Sequence, residues 1–177
     1  MTVAPELRTL IRDIPDFPRP GIVFKDITPL LLDPSGLAQT IEALAESAAP
    51  LGVDLVVAAE ARGFVLGGAL AARLGAGFIP ARKPGKLPAD TSSVEYALEY
   101  GVDALEVHRD ALSGGARVLV HDDLLATGGT ARALCTLVER AGAHVAGCLF
   151  VVELAFLRGR DRLGSHHVHS LIEYEEE

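Results

Sequence analysis

Apolar residues follow two different rhythms along this chain. Near-continuous apolar runs at 53–59, 76–80, 117–121 and 144–154 have the length and the bounding turn residues of strands buried on both faces. A shorter run at 105–108 reads the same way, separated from 117–121 by the turn residues Ser113-Gly-Gly115. Between the runs the spacing becomes helical. Leu7, Leu10 and Ile11 share one face of a short first helix. Ser35 can cap a helix running to about Ala49, ended by Pro50-Leu-Gly52, and further helices are predicted over 64–74 and 131–141, the last closed by Gly142. Strands of this kind alternating with helices predict an α/β fold with a doubly wound parallel sheet.

Three stretches break the rhythm. Asp16-Phe-Pro-Arg-Pro-Gly21 is turn chemistry, and the extended stretch 22–29 that follows it is expected to stop at Pro29. Residues 82–101 are rich in Pro, Gly and small polar side chains, and a weakly patterned insertion of that length marks a functional or a disordered segment. The acidic end, Glu173-Tyr-Glu-Glu-Glu177, reads as a solvated tail.

Composition narrows the class. The 177 residues, 49% of them hydrophobic, suffice for one globular domain over 1–177 with a sizeable core. No apolar run reaches membrane-span length without a charge, and the first residues lack a signal peptide's basic start, so no membrane association and a cytoplasmic location are expected. A net charge of −8 argues against nucleic acid as a partner. It also gives weight to the basic residues that do cluster: of three lysines, Lys83 and Lys86 fall in one short window with Arg82, around Pro84-Gly85. Cys135 and Cys148, expected on a helix and a strand, read as buried thiols rather than a disulfide or a nucleophile.

Candidate chemistry concentrates at 118–130. The apolar run there ends in Asp122 and Asp123, where open α/β sheets bind ligands. Ala126-Thr127-Gly128-Gly129-Thr130 follows, and a Thr-Gly-Gly-Thr turn before a helix lets backbone N–H groups approach a phosphate closely. Amides for a phosphate beside acceptor-only carboxylates for two hydroxyls suit a phosphorylated sugar. Other phosphate motifs fail: Gly85-Lys86 is followed by Leu87 and lacks the first glycine of a Walker loop, and Pro80 stands where a dinucleotide fingerprint begun at Gly75 needs its third glycine. Glu60-Ala-Arg-Gly63 opens a predicted helix after a strand, and the Arg62 fork suits phosphate oxygens, with a helix-start pair between Glu60 and Arg62 as the plainer alternative. His166, His167 and His169 lack neighbouring ligands and read as a surface cluster, so no metal site on the protein is expected. His121, an imidazole inside the apolar run, would need a partner if buried.

The segment 118–130 resembles the phosphoribosyl-pyrophosphate (PRPP) motif of the type I phosphoribosyltransferases. Glu60-Ala-Arg-Gly63, Arg82-Lys-Pro-Gly-Lys86-Leu-Pro88, Leu98-Glu-Tyr-Gly101 and the stretch 16–29 resemble its adenine-specific branch. The resemblance implies a type I phosphoribosyltransferase fold: a mostly parallel twisted sheet flanked by helices, a small N-terminal hood over about 1–35 and a flexible lid loop. It implies the reaction adenine + PRPP giving AMP + pyrophosphate, with Mg²⁺ carried mainly on PRPP, pyrophosphate and water, and a homodimer. By position it implies that Asp122, Asp123, Ala126, Thr127, Gly128, Gly129 and Thr130 hold the ribose and 5′-phosphate. Arg62, Arg82, Lys83 and Lys86 would hold pyrophosphate, Arg82 as a candidate to reach in from the neighbouring subunit. Phe24 would stack on adenine, Val23 and Lys25 would present backbone groups to it, and Leu154 would close its other face. Glu99 becomes the proton-transfer candidate with Tyr100 beside it; Glu95 and Glu106 are its chemical rivals, and only the tetrapeptide match favours Glu99. A non-proline cis peptide at Glu60–Ala61 is also implied. A phosphoribosyltransferase for another purine and a PRPP-sensing domain without catalysis are the competing readings.

Overall fold

The computed structural model describes residues 4–97, 102–112 and 114–176. Five strands, β3 (Leu55–Ala59), β4 (Gly77–Ala81), β7 (Arg117–Leu125), β8 (His144–Leu154) and β9 (Val168–Tyr174), form a sheet in the order β4-β3-β7-β8-β9. Every pairing in it is parallel, with β7 central: Val57 lies beside Val120 and Val120 beside Cys148. Successive side chains of a strand point to opposite faces, and the two faces bury different clusters. Val56, Leu119, Leu149 and Val151 pack under α1 (Ala4–Arg8), α2 (Thr28–Leu32), α3 (Pro34–Ala48) and α4 (Arg62–Leu74). Val57, Val118, Val120, Cys148 and Phe150 pack under α5 (Gly129–Arg140) and an antiparallel ribbon of β5 (Thr91–Ala97) and β6 (Val102–His108). The apolar runs are therefore continuous because both faces are covered, as the sequence implied. Cys135 of α5 and Cys148 of β8 are buried free thiols with sulfurs 3.6 Å apart.

Several boundaries differ from the pattern-based expectation. Pro29 does not stop the extended stretch at a turn; it sits in the first turn of α2, where its missing N–H would have no helical partner anyway. Helix α3 is capped by Asp33 rather than Ser35: the Asp33 carboxylate accepts from the Gly36 amide at 2.6 Å. Residues 105–108 and 117–121 do not pair around Ser113-Gly-Gly115; β6 pairs with β5, which arises within the stretch expected to lack pattern, and β7 pairs with β3 and β8. Gly142, with φ of 75°, does close α5.

The acidic end is not a solvated tail up to Tyr174. The Tyr174 ring lies 4.5 Å from the Arg8 guanidinium and 4.3 Å from the Lys25 ammonium. Lys25 is buried and also pairs with Asp13 at 2.8 Å. Lys25 and Asp13 belong to the ribbon of β1 (Arg12–Pro15) and β2 (Val23–Asp26), so this contact ties the N-terminal hood to the last strand of the sheet. Behind it, Arg160 bonds both the buried Glu153 and Glu173, and the Ser170 hydroxyl donates to Glu153 at 2.6 Å. That leaves a charge inside the fold fully partnered.

The capping assignment is open to a direct check. Asp33→Ala is expected to cost about 1 kcal/mol in denaturant unfolding, whereas Ser35→Ala should change stability by less than about 0.5 kcal/mol.

Candidate active site

Strand β7 carries the acidic pair into a position where it is partly covered by the start of α4. Asp123 is buried, and the Arg62 guanidinium, from the first turn of α4, meets it at 2.6 Å. The Glu60–Arg62 pair raised as an alternative does not form. Asp122 faces Gly63, where a Cβ would lie only 2.7 Å from the Asp122 Oδ1, so glycine is needed for the carboxyl to sit against α4. Burial, with the neighbouring Asp123 charge adding to it, pushes the Asp122 pKa well above the ordinary carboxylate range. Asp123, the other member of the pair, faces Arg62.

Two cavities open on either side of this pair. The first, about 210 Å³, is lined by Arg62 and residues 122–131, including Ala126, Thr127, Gly128, Gly129 and Thr130. No side chain caps α5 at Gly128, which leaves first-turn N–H groups available to an anion. Gly128 has φ of 79°, and a Cβ there would run into the backbone of Gly159; a Cβ on Gly159 would meet Ala126 O. The turn Gly159–Leu163 is thereby pressed against the cradle.

The second cavity, about 360 Å³, is lined by Ala59, Glu60, Ala61, Arg62, Lys83, Tyr96, Leu105, Asp122, Asp123 and Thr130. Arg62, Asp122, Asp123 and Thr130 line both. Arg82 and Lys86 approach through Glu60, whose Oε2 is 3.0 Å from Arg82 Nη2 and 3.6 Å from Lys86 Nζ. The Lys83 amide donates to Glu60 Oε1 at 2.6 Å, and Lys83 Nζ pairs with Asp103 at 3.0 Å. The Glu60–Ala61 peptide is cis, as the resemblance implied.

The hood residues lie at the edge of this region. Phe24 packs edge-on against Phe17 at 5.2 Å, and the Arg62 guanidinium stands 5.0 Å from its ring centre. Val23 and Lys25 flank it on β2, with the Lys25 side chain turned to Asp13 and Tyr174. Leu154 ends β8, one strand over from the acidic pair, and is buried in the cluster beneath the hood. Glu99 and Tyr100 lie outside the described residues. Of the rivals, Glu95 is exposed on β5 and Glu106 accepts from the Gly85 amide at 3.2 Å.

Tyr96 and Asp103 were not singled out by sequence, although Tyr96 lines the second cavity and Asp103 pairs with Lys83, which lines it too. Tyr96 lines it from β5, and burial raises its phenol pKa, with a bond to Thr130 opposing. The available signal was the alternation Val94-Glu-Tyr96, which points Val94 and Tyr96 to the same side. His121 does find a partner: its Nδ1 is 2.9 Å from the Leu149 carbonyl. A carbonyl only accepts, so Nδ1 carries the proton, and Nε2 has no partner among the described residues. Burial pushes the His121 pKa down to about 4, against the pull of Leu149 and Asp123. The described residues contain no cluster of three potential metal-ligating side chains among His, Cys, Asp and Glu.

Comparison with known proteins places this geometry. The model of the phosphoribosyl transferase domain matches residues 32–169. An adenine phosphoribosyltransferase of Synechococcus sp. is 57% identical over 170 residues, covering 96% of this chain and 99% of that protein. The crystal structure of adenine phosphoribosyltransferase from Thermoanaerobacter pseudethanolicus superposes with a TM-score of 0.95 at 52% identity, over 97% of this chain and 100% of that one. That of the Saccharomyces cerevisiae enzyme, complexed with an imino-altritol bisphosphate and adenine, gives a TM-score of 0.90 at 40% identity, over 95% and 97% of the two chains.

His121 gives the site a measurable acid response. Its pKa is 6.5 when unfolded and about 4 when folded, so between these values the unfolded chain binds a proton that the folded chain refuses. Stability is therefore complete above pH 6.5, falls as pH drops through that window and levels off below about 4. His121→Leu should remove about 3 kcal/mol of this loss, read as the difference between the two proteins' unfolding free energies at neutral pH and near the lower end of the window. A pH dependence identical in both proteins would contradict it.

Proposed function

The chain belongs to the phosphoribosyltransferase family, and from that premise we propose how its two cavities perform the transfer of the 5-phosphoribosyl group from PRPP to adenine, giving AMP and pyrophosphate. The observation that carries the reading is the acidic pair on the shared wall of the two cavities: an amide-lined cradle on one side, a cation-bearing pocket on the other. The sugar's two ends need those different environments, and the reacting carbon lies between them.

The cradle of Ala126, Thr127, Gly128, Gly129 and Thr130 holds the 5′-phosphate, which is present in both PRPP and AMP and needs only fixed amides. Asp122 and Asp123 hold the two ribose hydroxyls. The acidic pair offers acceptors to a diol and favours positive charge developing on the sugar. Arg62, Arg82, Lys83 and Lys86 receive the leaving pyrophosphate, on which negative charge accumulates as the glycosidic bond breaks. Phe24 stacks on adenine with Val23 and Lys25 reading its edge through backbone groups and Leu154 opposite. Glu99 manages a proton on the purine ring, a role that rests on the Leu98-Glu-Tyr-Gly101 resemblance.

The second cavity is lined by the carboxylates Glu60, Asp122 and Asp123, hard oxygen donors that suit Mg²⁺, but Glu60 and Asp123 are committed to arginines. We therefore assign the ion mainly to substrate oxygens and water. When bound it neutralises diphosphate charge. The chain is read as one catalytic domain acting as a cytoplasmic homodimer in purine salvage; no helix among the described residues is long and apolar enough to cross a membrane.

Turnover with adenine, hypoxanthine, guanine and xanthine tests the assignment: adenine should be used and the 6-oxopurines not, and the reverse preference would sink it. Glu99→Gln should lower turnover by about 10²- to 10⁴-fold while leaving PRPP affinity in place. Thr127→Leu should weaken PRPP and AMP together, because they share one phosphate site; unaltered AMP affinity counts against the cradle.

A further inference from the structure

Every cation assigned to pyrophosphate already has a carboxylate. Arg62 is on Asp123 at 2.6 Å, Arg82 and Lys86 share Glu60 Oε2 at 3.0 and 3.6 Å, and Lys83 is on Asp103 at 3.0 Å. Asp123 has its own role at the ribose. Glu60 and Asp103 have none in the scheme above, yet they are the better sheltered members of their pairs, with side chains 11% and 21% exposed against 35–55% for their cations. The Lys83 amide, followed by Arg82, holds the Glu60 carboxyl below its ordinary pKa, and Lys83 does the same for Asp103. Both stay charged at neutral pH.

A diphosphate cannot occupy Arg82, Lys83 and Lys86 without competing with these two carboxylates. We propose that Glu60 and Asp103 are internal counter-anions of the pyrophosphate pocket: they hold its cations while it is empty and reclaim them when pyrophosphate leaves, setting how tightly the product is held. This rests on the assignment of Arg82, Lys83 and Lys86 to pyrophosphate. The chemistry explains the arrangement. Several cations gathered at one pocket, left unneutralised, would bind a multiply charged diphosphate strongly and release it slowly. A carboxylate on a short tether cannot diffuse away, so it returns to the cations as soon as they are free. The two anions come from separate elements, Glu60 from the β3–α4 connection and Asp103 from β6, so each can be removed without the other.

The opposing idea is that Glu60 and Asp103 orient the cations for pyrophosphate. The two ideas predict opposite signs. Titration of Mg-pyrophosphate into the intact protein should show roughly fivefold tighter binding in Glu60→Gln and roughly twofold tighter in Asp103→Asn, as expected for partly exposed ion pairs lost from the free state. Adenine affinity should not change, and the gain should shrink as salt is raised. Pyrophosphate affinity that is unchanged or weaker in both folded variants overturns the proposal. Should Glu60→Gln fail to fold, Asp103→Asn decides alone. Lys83→Gln and Lys86→Gln separate the two levels: weaker pyrophosphate binding in these with no gain in the carboxylate variants defeats the counter-anion role only, while unchanged binding in the lysine variants defeats the pocket assignment itself.

Discussion

Two carboxylates in succession at the end of a strand enclosed on both faces place a demand on everything around them. Sheltering them from water sets like charges side by side, which makes ionising both costly unless a counter-charge is supplied. The fold supplies one: Arg62 comes to Asp123 from the opening turn of α4, while the Asp122 pKa is pushed up. That pairing sets Arg62 on the wall shared by the two cavities, while the neighbouring Asp122 requires a residue without a side chain at Gly63. It also brings the guanidinium over Phe24, so the hood is placed with respect to the same pair.

In the proposed reaction the two ends of the sugar phosphate are treated by different physics. The end that persists is assigned to backbone amides and an uncapped helix terminus, which are rigid, weakly charged and always ready. The end that departs is assigned to long side chains with full charges and existing partners. A fixed dipole suits a group that must not move during the reaction, and an exchangeable ion pair suits one that must go.

Strands β3, β7 and β8 were legible because they are largely buried on both faces, so that apolar run length alone marks them, whereas the half-buried edge strand β9 left no such run. The acidic pair and the Thr-Gly-Gly-Thr turn were legible because their chemistry is local: consecutive residues, one turn, one helix start. What failed was whatever depends on distant partners. Pro29 and Asp33 are ambiguous until the chain on their far side is placed, since proline both ends strands and starts helices. The pairing of β6 with β5 was hidden because the hydroxyl-rich Thr91-Ser-Ser93 does not read as a strand until β6 lies beside it. Tyr174 looked like part of a charged tail because the cations that receive its ring, Arg8 and Lys25, are far away in sequence. Glu60 was weighed against the wrong cation, Arg62, and Asp103 was passed over for the same reason: neither motif nor spacing shows which cation a carboxylate will meet.

The contact between Gly128 and Gly159 has a consequence for how this site can change over generations. Each glycine is confronted first by main chain: Gly128 by the Gly159 carbonyl, Gly159 by the Ala126 carbonyl oxygen and then the Gly128 amide. A crowded side chain can be relieved by a smaller one nearby, but nothing can be trimmed from a peptide unit. The usual route of compensating exchange is closed to both positions, and neither can be altered first with the other following. The phosphate cradle and the turn Gly159–Leu163, remote in sequence, therefore drift as one unit or not at all. Variation in this protein's ligand preferences has to come from the hood and the cation-bearing pocket, where the neighbours are side chains that can give way.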